Sequence, residues 1–276
     1  MFQPIIPLSG IGGWNFLQST YDRQLENFAD SAQIRNDREY MESKLSSPMS
    51  LEDFMDDSRL LRVTMTAFDL GGEEWKRGFI DKVLTESSDP ESNFLERLNN
   101  AQYTRFAEAL SPNEKGTINL STDALTDLGN RFEAASFKVE VGEIDDNMRL
   151  GLNFQSEIGE LVSASSSDEA NLFRLLGSVP VRAVLESALN LPSDIGNLSV
   201  EKQAEIFDAK LQSTFGIQNV SDLTDPDVVN RVITRFHAIE SLNGEISSST
   251  PGATALTLLT GVGSSASENM FLSLFV

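Results

Sequence analysis

Cysteine is absent from this 276-residue sequence, and histidine occurs once, at His237. Without cysteine the chain forms neither disulfides nor thiolate metal sites, and a single imidazole is too few for a histidine-based metal centre. We therefore predict no metal site and no cofactor. A catalytic role for His237 would require a nucleophile, and the sequence has no Gly-x-Ser-x-Gly element to supply one. We interpret His237 as a partly exposed residue near a helix C-terminus, where the helix dipole favours its charge.

Basic residues are also scarce. The sequence has 21 lysines and arginines against 42 aspartates and glutamates, which gives a formal net charge of −21. Like-charge repulsion opposes binding to nucleic acid and to anionic lipid, so the predicted partners are other proteins. No run approaches the roughly 20 apolar residues that cross a bilayer, and Met1-Phe2-Gln3-Pro4 lacks the features of a secretory signal. We predict a soluble, cytoplasmic protein without membrane insertion, and the sequence leaves its oligomeric state open.

The carboxylates include two short clusters that could hold calcium, at Asp53 to Asp57 and at Asp145 to Asn147. Neither cluster has the ligand spacing, the glycine and the closing glutamate of a calcium-binding loop. Both lie at predicted helix ends, where acids interact favourably with the helix dipole. Paired carboxylates could also hydrolyse a glycosidic bond, but chance pairs are unavoidable among 42 acids. We predict no catalytic residue, and an enzyme that uses acidic residues stays a minor alternative.

Apolar residues at spacings of three, four and seven predict helices along most of the chain, so the predicted fold class is all-α. Ser50 predicts a helix start because a short oxygen side chain accepts hydrogen bonds from first-turn amides. A further helix is predicted from Glu73 to Leu84, with Trp75 facing inward. Phe137 to Val141 alternates apolar and polar residues as a strand does, but it is short and has no evident partner. We favour a helix there, with a break near Gly142.

One stretch of the sequence, Ser58 to Leu70, has a counterpart at Val181 to Leu191. Aligning the two without a gap pairs Asp69 with Asn190, and later capping signals recur in the same order. We interpret this pattern as a diverged tandem duplication and predict two related multihelical halves with flexible termini. The predicted boundaries are a flexible N-terminal arm at 1–13, a first helical half at 14–116, a second half with linking helices at 117–244, and a tail at 245–276.

The predicted tail is rich in small residues but ends in the apolar run Met270 to Val276. An apolar segment of this kind docks either on its own domain or on a partner. We therefore predict possible partner-binding residues in this run and at the predicted start of the first helix. They are Trp14, Met270, Phe271, Leu274 and Phe275.

Several motifs of packing and capping type occur together in this chain. They are Asp57-Ser58-Arg59-Leu60-Leu61 with Ala67-Phe68-Asp69-Leu70, Phe79 to Leu84, Asp89-Pro90, Asn147-Met148-Arg149-Leu150, Leu191-Pro192 and Asp225-Pro226. As a set they resemble a family of uncharacterised bacterial proteins, a domain of unknown function, whose members are often encoded among flagellar genes. The resemblance extends from about Gly12 to the start of the tail. It implies no catalytic residue.

Where that family usually has a glycine before the leucine, this chain has Asp69 and Asn190, so we predict that these two residues adopt the turn conformation. Together with the composition and the predicted termini, the resemblance leaves three hypotheses for function. The first is a non-enzymatic interaction or assembly factor associated with the flagellum. The second is a structural subunit exported through the flagellar apparatus, and the third is the enzyme that uses acidic residues.

Overall fold

The computed structural model of the protein describes residues 2–245, except residues 90, 99, 114 and 163–165. This part of the chain contains thirteen α-helices, two short 3-10 helices and one two-stranded antiparallel pair, which confirms the all-α prediction. The first helices are α1 (Gly10–Ala29), α2 (Ala32–Leu45), α3 (Leu51–Asp56), α4 (Ser58–Thr66), α5 (Arg77–Ser87), α6 (Phe94–Leu98) and α7 (Ala101–Leu110). They are followed by α8 (Thr122–Ile144), α9 (Asp146–Leu161), α10 (Asp168–Gly177), α11 (Val179–Ala188), α12 (Val200–Phe215) and α13 (Pro226–Glu245).

The long helices α8 and α9 lie at the centre of the fold. Helix α8 packs against α1, α2, α4 and α9, while α9 also packs against α11 and α13. The strand pair joins β1 (Met49–Ser50) to β2 (Thr117–Ile118) and so ties the start of α3 to the chain before α8. Aromatic rings fill much of the interior; the fully buried phenylalanines are Phe54, Phe106, Phe132, Phe137, Phe154, Phe207 and Phe236. Among the described helices, none combines the length and the apolar character that a bilayer span requires.

The N-terminal segment, residues 2–8, is non-helical and packs on the helices that follow it. The Phe2 ring meets Phe28 edge-on at a centroid distance of 5.7 Å. The side-chain amide of Gln24 accepts a hydrogen bond from the Ile5 amide at 2.6 Å and donates one to the Ile5 carbonyl at 3.2 Å. Helix α1 then begins at Gly10, four residues before the predicted start at Trp14. Whether the segment is mobile stays a prediction, but its described conformation is tied to α1.

Asp69 and Asn190 both have positive φ angles, 58° and 50°, which confirms the predicted turn conformation. The hydrogen bonds around them also match. The amide of Leu70 donates to the Met65 carbonyl, and the amide of Leu191 donates to the Glu186 carbonyl, both at 2.9 Å. This six-to-one bond is that of a Schellman helix end, in which a left-handed residue satisfies the last carbonyls. The two counterparts therefore share the local geometry with which α4 and α11 end.

Replacing Asn190 with glycine is expected to raise the free energy of unfolding by about 0.5–1 kcal/mol. Glycine has no Cβ to clash in the left-handed region, and this gain exceeds the greater flexibility of the unfolded chain. Urea unfolding followed by circular dichroism measures the change. The control is Asn190→Ala, for which we expect a loss of about 1 kcal/mol, because alanine keeps the Cβ clash and lacks the polar side chain that favours asparagine in the left-handed region. A stabilising alanine variant would contradict this explanation.

Two predicted helix boundaries, and the predicted burial of one residue, differ from the structure. Phe137 to Val141 is helical as favoured, but α8 runs through Gly142 to Ile144, and the break falls at Asp145. Its carboxylate accepts hydrogen bonds from the first amides of α9, which ends one helix and starts the next. Helix α5 begins at Arg77 rather than Glu73, so Trp75 belongs to a turn and is 77% exposed. The predicted inward position of Trp75 is therefore wrong.

Candidate functional site

Six charged side chains meet where α7, α8, α9 and the turn after α4 converge, and we call this group the central charged cluster. Its members are Asp69, Arg105, Arg131, Lys138, Glu157 and Glu160, and all of them line one cavity of about 130 Å³. Helical spacing explains why they share a surface. Arg131 and Lys138 are seven residues apart on α8, and Glu157 and Glu160 are three apart on α9, so each pair lies on one helix face.

Each cation of the central charged cluster has a carboxylate beside it. The Lys138 ammonium lies 2.9 Å from Asp69, and its side chain is only 9% exposed. Arg105 pairs with Glu160 across the gap between α7 and α9. Arg131 donates to Asp127, one turn earlier on α8, at 2.7 Å. The Lys138–Asp69 pair therefore links the strained turn after α4 to the middle of α8.

Glu157 differs from the other carboxylates of the cluster because the group bonded to it is neutral. It is 4% exposed, and its carboxylate accepts a hydrogen bond from the Ser178 hydroxyl at 3.0 Å. Burial raises the pKa of Glu157, and the negative charge of Asp69 raises it further. The Ser178 hydrogen bond and the positive charges of Lys138 and Arg105 act in the opposite direction but do not cancel the increase.

The charged form of Arg105 is also disfavoured by its surroundings. Burial lowers the pKa of its guanidinium, and the nearby charge of Arg131 acts in the same direction. Its Nε atom is buried and has no hydrogen-bond partner among the described residues. A buried donor without a partner costs about 1–3 kcal/mol. The cluster thus holds two groups, Glu157 and Arg105, whose charged forms are disfavoured by their surroundings, a combination that is frequent at functional sites.

Three hollows converge on Glu157, which lines all of them. The first is the 130 Å³ cavity of the cluster. The second, of about 290 Å³, lies between α7 and α10 and shares Arg105, Glu157 and Glu160 with the first. The third is an open groove of about 620 Å³, bordered by α2, α4, α8, α9 and the turn that contains Gly71 and Glu74. We call the third hollow the groove.

Among the described residues, the two most exposed large apolar side chains belong to residues that directly precede or follow a groove-lining residue in the sequence. Trp75 is 77% exposed and follows Glu74, which lines the groove; Val179 is 79% exposed and precedes Pro180, which also lines it. The Trp75 ring carries the Lys76 ammonium 5.5 Å from its centroid. Val139, half exposed on α8, is an apolar residue that lines the groove itself. The groove therefore has a charged floor, and two exposed apolar residues directly adjoin its lining residues in sequence.

Of the predicted partner-binding residues, the structure describes Trp14, which lines none of the three hollows. Trp14 is 2% exposed and packs on His237, with ring centroids 5.1 Å apart, so its indole is not presented to a partner. Trp14 faces inward because α1 begins early enough to place it one turn into the helix, against α9 and α13. Met270, Phe271, Leu274 and Phe275 lie outside the described residues.

His237 is fully buried, which corrects the expectation of partial exposure. It lies in the interior of α13 rather than near its end, beside Trp14 and Phe236. Neither ring nitrogen has a hydrogen-bond partner among the described residues, and burial lowers the pKa of His237 to about 4. It lines none of the three hollows described above.

The acidic clusters noted in the sequence serve helix ends. Asp57 accepts a hydrogen bond from the Leu60 amide at the start of α4, and Asp145 caps α9 in the same way. The described residues contain no group of three or more histidine, aspartate or glutamate side chains placed to hold a metal ion. The sequence alone does not indicate the central charged cluster; it indicates Asp69 only as a residue in a turn conformation. Lys138 and Glu157 looked like ordinary polar positions of amphipathic helices, and only packing shows that they face inward.

Comparisons with known proteins give a family and a fold. The family model described as "Protein of unknown function (DUF1217)" matches residues 67–229, more than half of the chain. A crystal structure of protein AGR_C_984 from Agrobacterium tumefaciens superposes with a TM-score of 0.70 at 23% identity. That alignment covers 87% of this chain and 99% of the Agrobacterium chain, which shows a shared fold. No curated protein matches the sequence.

Proposed function

Because the chain belongs to DUF1217, a family of proteins of unknown function, we propose its function from its surface: it is a non-enzymatic interaction factor that binds a segment of another protein in the groove. The partner we propose is a component of the bacterial flagellum, and the chain assists its assembly. The flagellar part of the proposal is supported by the resemblance of its packing and capping motifs to proteins often encoded among flagellar genes. The interaction part is supported by the exposed Trp75, which directly follows the groove-lining residue Glu74.

Trp75 is the single observation that carries the interaction. Its large apolar ring is held outward by a turn whose ends are fixed. The Leu70 amide donates a hydrogen bond to the Met65 carbonyl near the end of α4, and the Glu73 carboxylate accepts a hydrogen bond from the Tyr103 hydroxyl. An indole costs little conformational entropy when it is immobilised, and tryptophan is enriched among the residues that dominate binding energy at protein interfaces. Exposure of this ring, one residue after the groove-lining Glu74, is thus expected of a binding surface.

The acidic character of the chain suits the same role. A net charge of −21 opposes association with nucleic acid and increases the rate of encounter with basic protein surfaces. Long-range attraction of this kind weakens as salt screens it, over about 10 Å at 0.1 M. We therefore expect association to be faster at low salt, whereas the contact made by Trp75 sets the rate of dissociation.

Affinity purification from the bacterial host tests the proposal. We expect flagellar components to co-purify with the wild-type chain, and Trp75→Ala to reduce their recovery at least tenfold, as for a central interface residue. Val200→Ala is the matched control, because Val200 is 52% exposed and belongs to α12, which contributes no residue to the groove lining, whereas Trp75 directly follows the lining residue Glu74. Equal recovery by both variants, or recovery of no flagellar component at low salt, would contradict the proposal. Appearance of the chain in culture medium only when the export apparatus is intact would instead favour the exported-subunit alternative.

A further inference from the structure

We propose that Glu157 is the receptor for an arginine or lysine side chain that the partner segment inserts from the groove. The inference rests on the proposed function and specifies the chemistry of the partner: a basic segment with one side chain long enough to reach the floor. The residues that carry it are Glu157 and its neighbours in the central charged cluster.

The local charges leave Glu157 without a cation bonded to it. Lys138 is bonded to Asp69 at 2.9 Å, and Arg105 pairs with Glu160, while the Nε atom of Arg105 has no partner among the described residues. Neither of these two cations is therefore bonded to Glu157. Within the described part of the chain, Glu157 forms a hydrogen bond to the neutral Ser178 and takes part in no ion pair. A buried carboxylate in this state is unfavourable, and a guanidinium or ammonium group beside it would form a charge-assisted hydrogen bond.

The space beside Glu157 has the right size for such a group. The 130 Å³ cavity would hold roughly four water molecules at about 30 Å³ each, which is close to the volume of a guanidinium with its last methylenes. The groove, of about 620 Å³, gives room for the peptide backbone outside. Asp69, Lys138 and Glu157 line both spaces, so the cavity and the groove adjoin at these side chains. In this proposal the inserted side chain occupies the cavity and its backbone stays in the groove.

The lining of the groove favours a basic rather than an acidic segment. Five carboxylates line it against three bases, Arg62, Lys138 and Arg149. Each of these bases already has an acidic partner: Arg62 pairs with Asp37, Lys138 with Asp69, and Arg149 with Asp146. An incoming anion would meet unfavourable charge at the rim, at Glu74 and Glu140, and again at the floor. At the floor, Arg105, Arg131 and Lys138 are each paired with a carboxylate other than Glu157, so an incoming cation finds there a carboxylate that takes part in no ion pair within the described part of the chain.

A capped arginine, N-acetyl-arginine amide, is the probe that tests the inference on the full chain. We expect it to bind with an affinity of roughly millimolar, measured by calorimetry at low salt. N-acetyl-citrulline amide has nearly the same shape and no charge, and we expect it to bind at least tenfold more weakly. Glu157→Gln is expected to weaken binding of the arginine probe at least tenfold, whereas Glu169→Gln, a change at an exposed residue of α10, leaves it unchanged.

Folding of the Glu157→Gln variant is verified by its thermal unfolding. The amide oxygen still accepts the hydrogen bond of Ser178, and a buried charge is removed, so the midpoint is expected to equal or exceed that of the wild-type chain. Equal binding of the arginine and citrulline probes, or unchanged binding by a folded Glu157→Gln variant, would overturn the inference. If either occurs while recovery of flagellar components still depends on Trp75, the inference fails and the proposed function stands. If recovery does not depend on Trp75, the proposed function fails, whatever the probe does.

Discussion

Replacement of Trp14 by alanine is expected to lower the free energy of unfolding by about 3–5 kcal/mol. The indole is 2% exposed and lies where α1, α9 and α13 meet, beside His237. Its ring also approaches Gly151 so closely that a Cβ there would come within 2.9 Å of it. Such close packing leaves little room for the neighbours to relax into the space that alanine would create, so the cavity term adds to the lost burial.

Urea denaturation followed by circular dichroism measures this loss, and the second tryptophan provides the control. Trp75 is 77% exposed, so Trp75→Ala is expected to change the free energy of unfolding by less than about 0.5 kcal/mol. Both substitutions remove an indole side chain, but each is expected to affect a different property of the protein. Trp14→Ala destabilises the fold, while Trp75→Ala reduces partner recovery. A loss below about 1 kcal/mol for Trp14→Ala would contradict the close packing described for α1.

Acidification is expected to destabilise the protein through His237 by about 3 kcal/mol between pH 6.5 and pH 4. The pKa of His237 is about 4 in the folded chain, against an ordinary value of 6.5, because burial disfavours the charged ring. Between these values the unfolded chain binds more protons than the folded chain, so stability rises with pH. The contribution is complete above pH 6.5 and is lost as pH falls through the folded pKa.

The His237→Phe variant isolates this contribution from that of the many carboxylates. Phenylalanine cannot titrate and needs no hydrogen bond, and its ring suits a site formed with Trp14 and Phe236. Free energies of unfolding are measured for both proteins at a series of pH values from 7 to 4. We expect the difference between variant and wild type to grow in favour of phenylalanine as pH falls. A difference that does not change with pH would show that His237 has an ordinary pKa in the folded state.

The sequence predicted features that depend on neighbouring residues more successfully than features that depend on packing. Ser50 and Asp145 lie at helix starts because capping needs only a short polar side chain and amides two or three residues away. Asp69 and Asn190 have positive φ for a similarly local reason. The predicted start of α5 is wrong because residues Glu73 to Lys76 form a turn and not the first turn of the helix. Trp75 therefore lies on the surface and not in the core.

The central charged cluster could not be predicted in this way. Lys138 and Asp69 are 69 residues apart in sequence, and Arg105 lies on a third element. Their meeting depends on how α7, α8 and α9 pack, which the apolar periodicity of each helix does not determine. His237 illustrates the same limit, since a polar residue on an amphipathic helix is expected to face water, and the interior position of this one follows from the approach of α1 and α9.

The single residue between α8 and α9 has a consequence for recognition. Asp145 ends α8 and caps α9, so no flexible linker separates the two helices. These helices hold four members of the central charged cluster: Arg131, Lys138, Glu157 and Glu160. The conformational entropy of bringing these charges together is therefore lost when the chain folds and not when a ligand arrives. A site built on such a joint is preorganised: it selects ligands that already fit, and it gains affinity from rigidity rather than from adjustment.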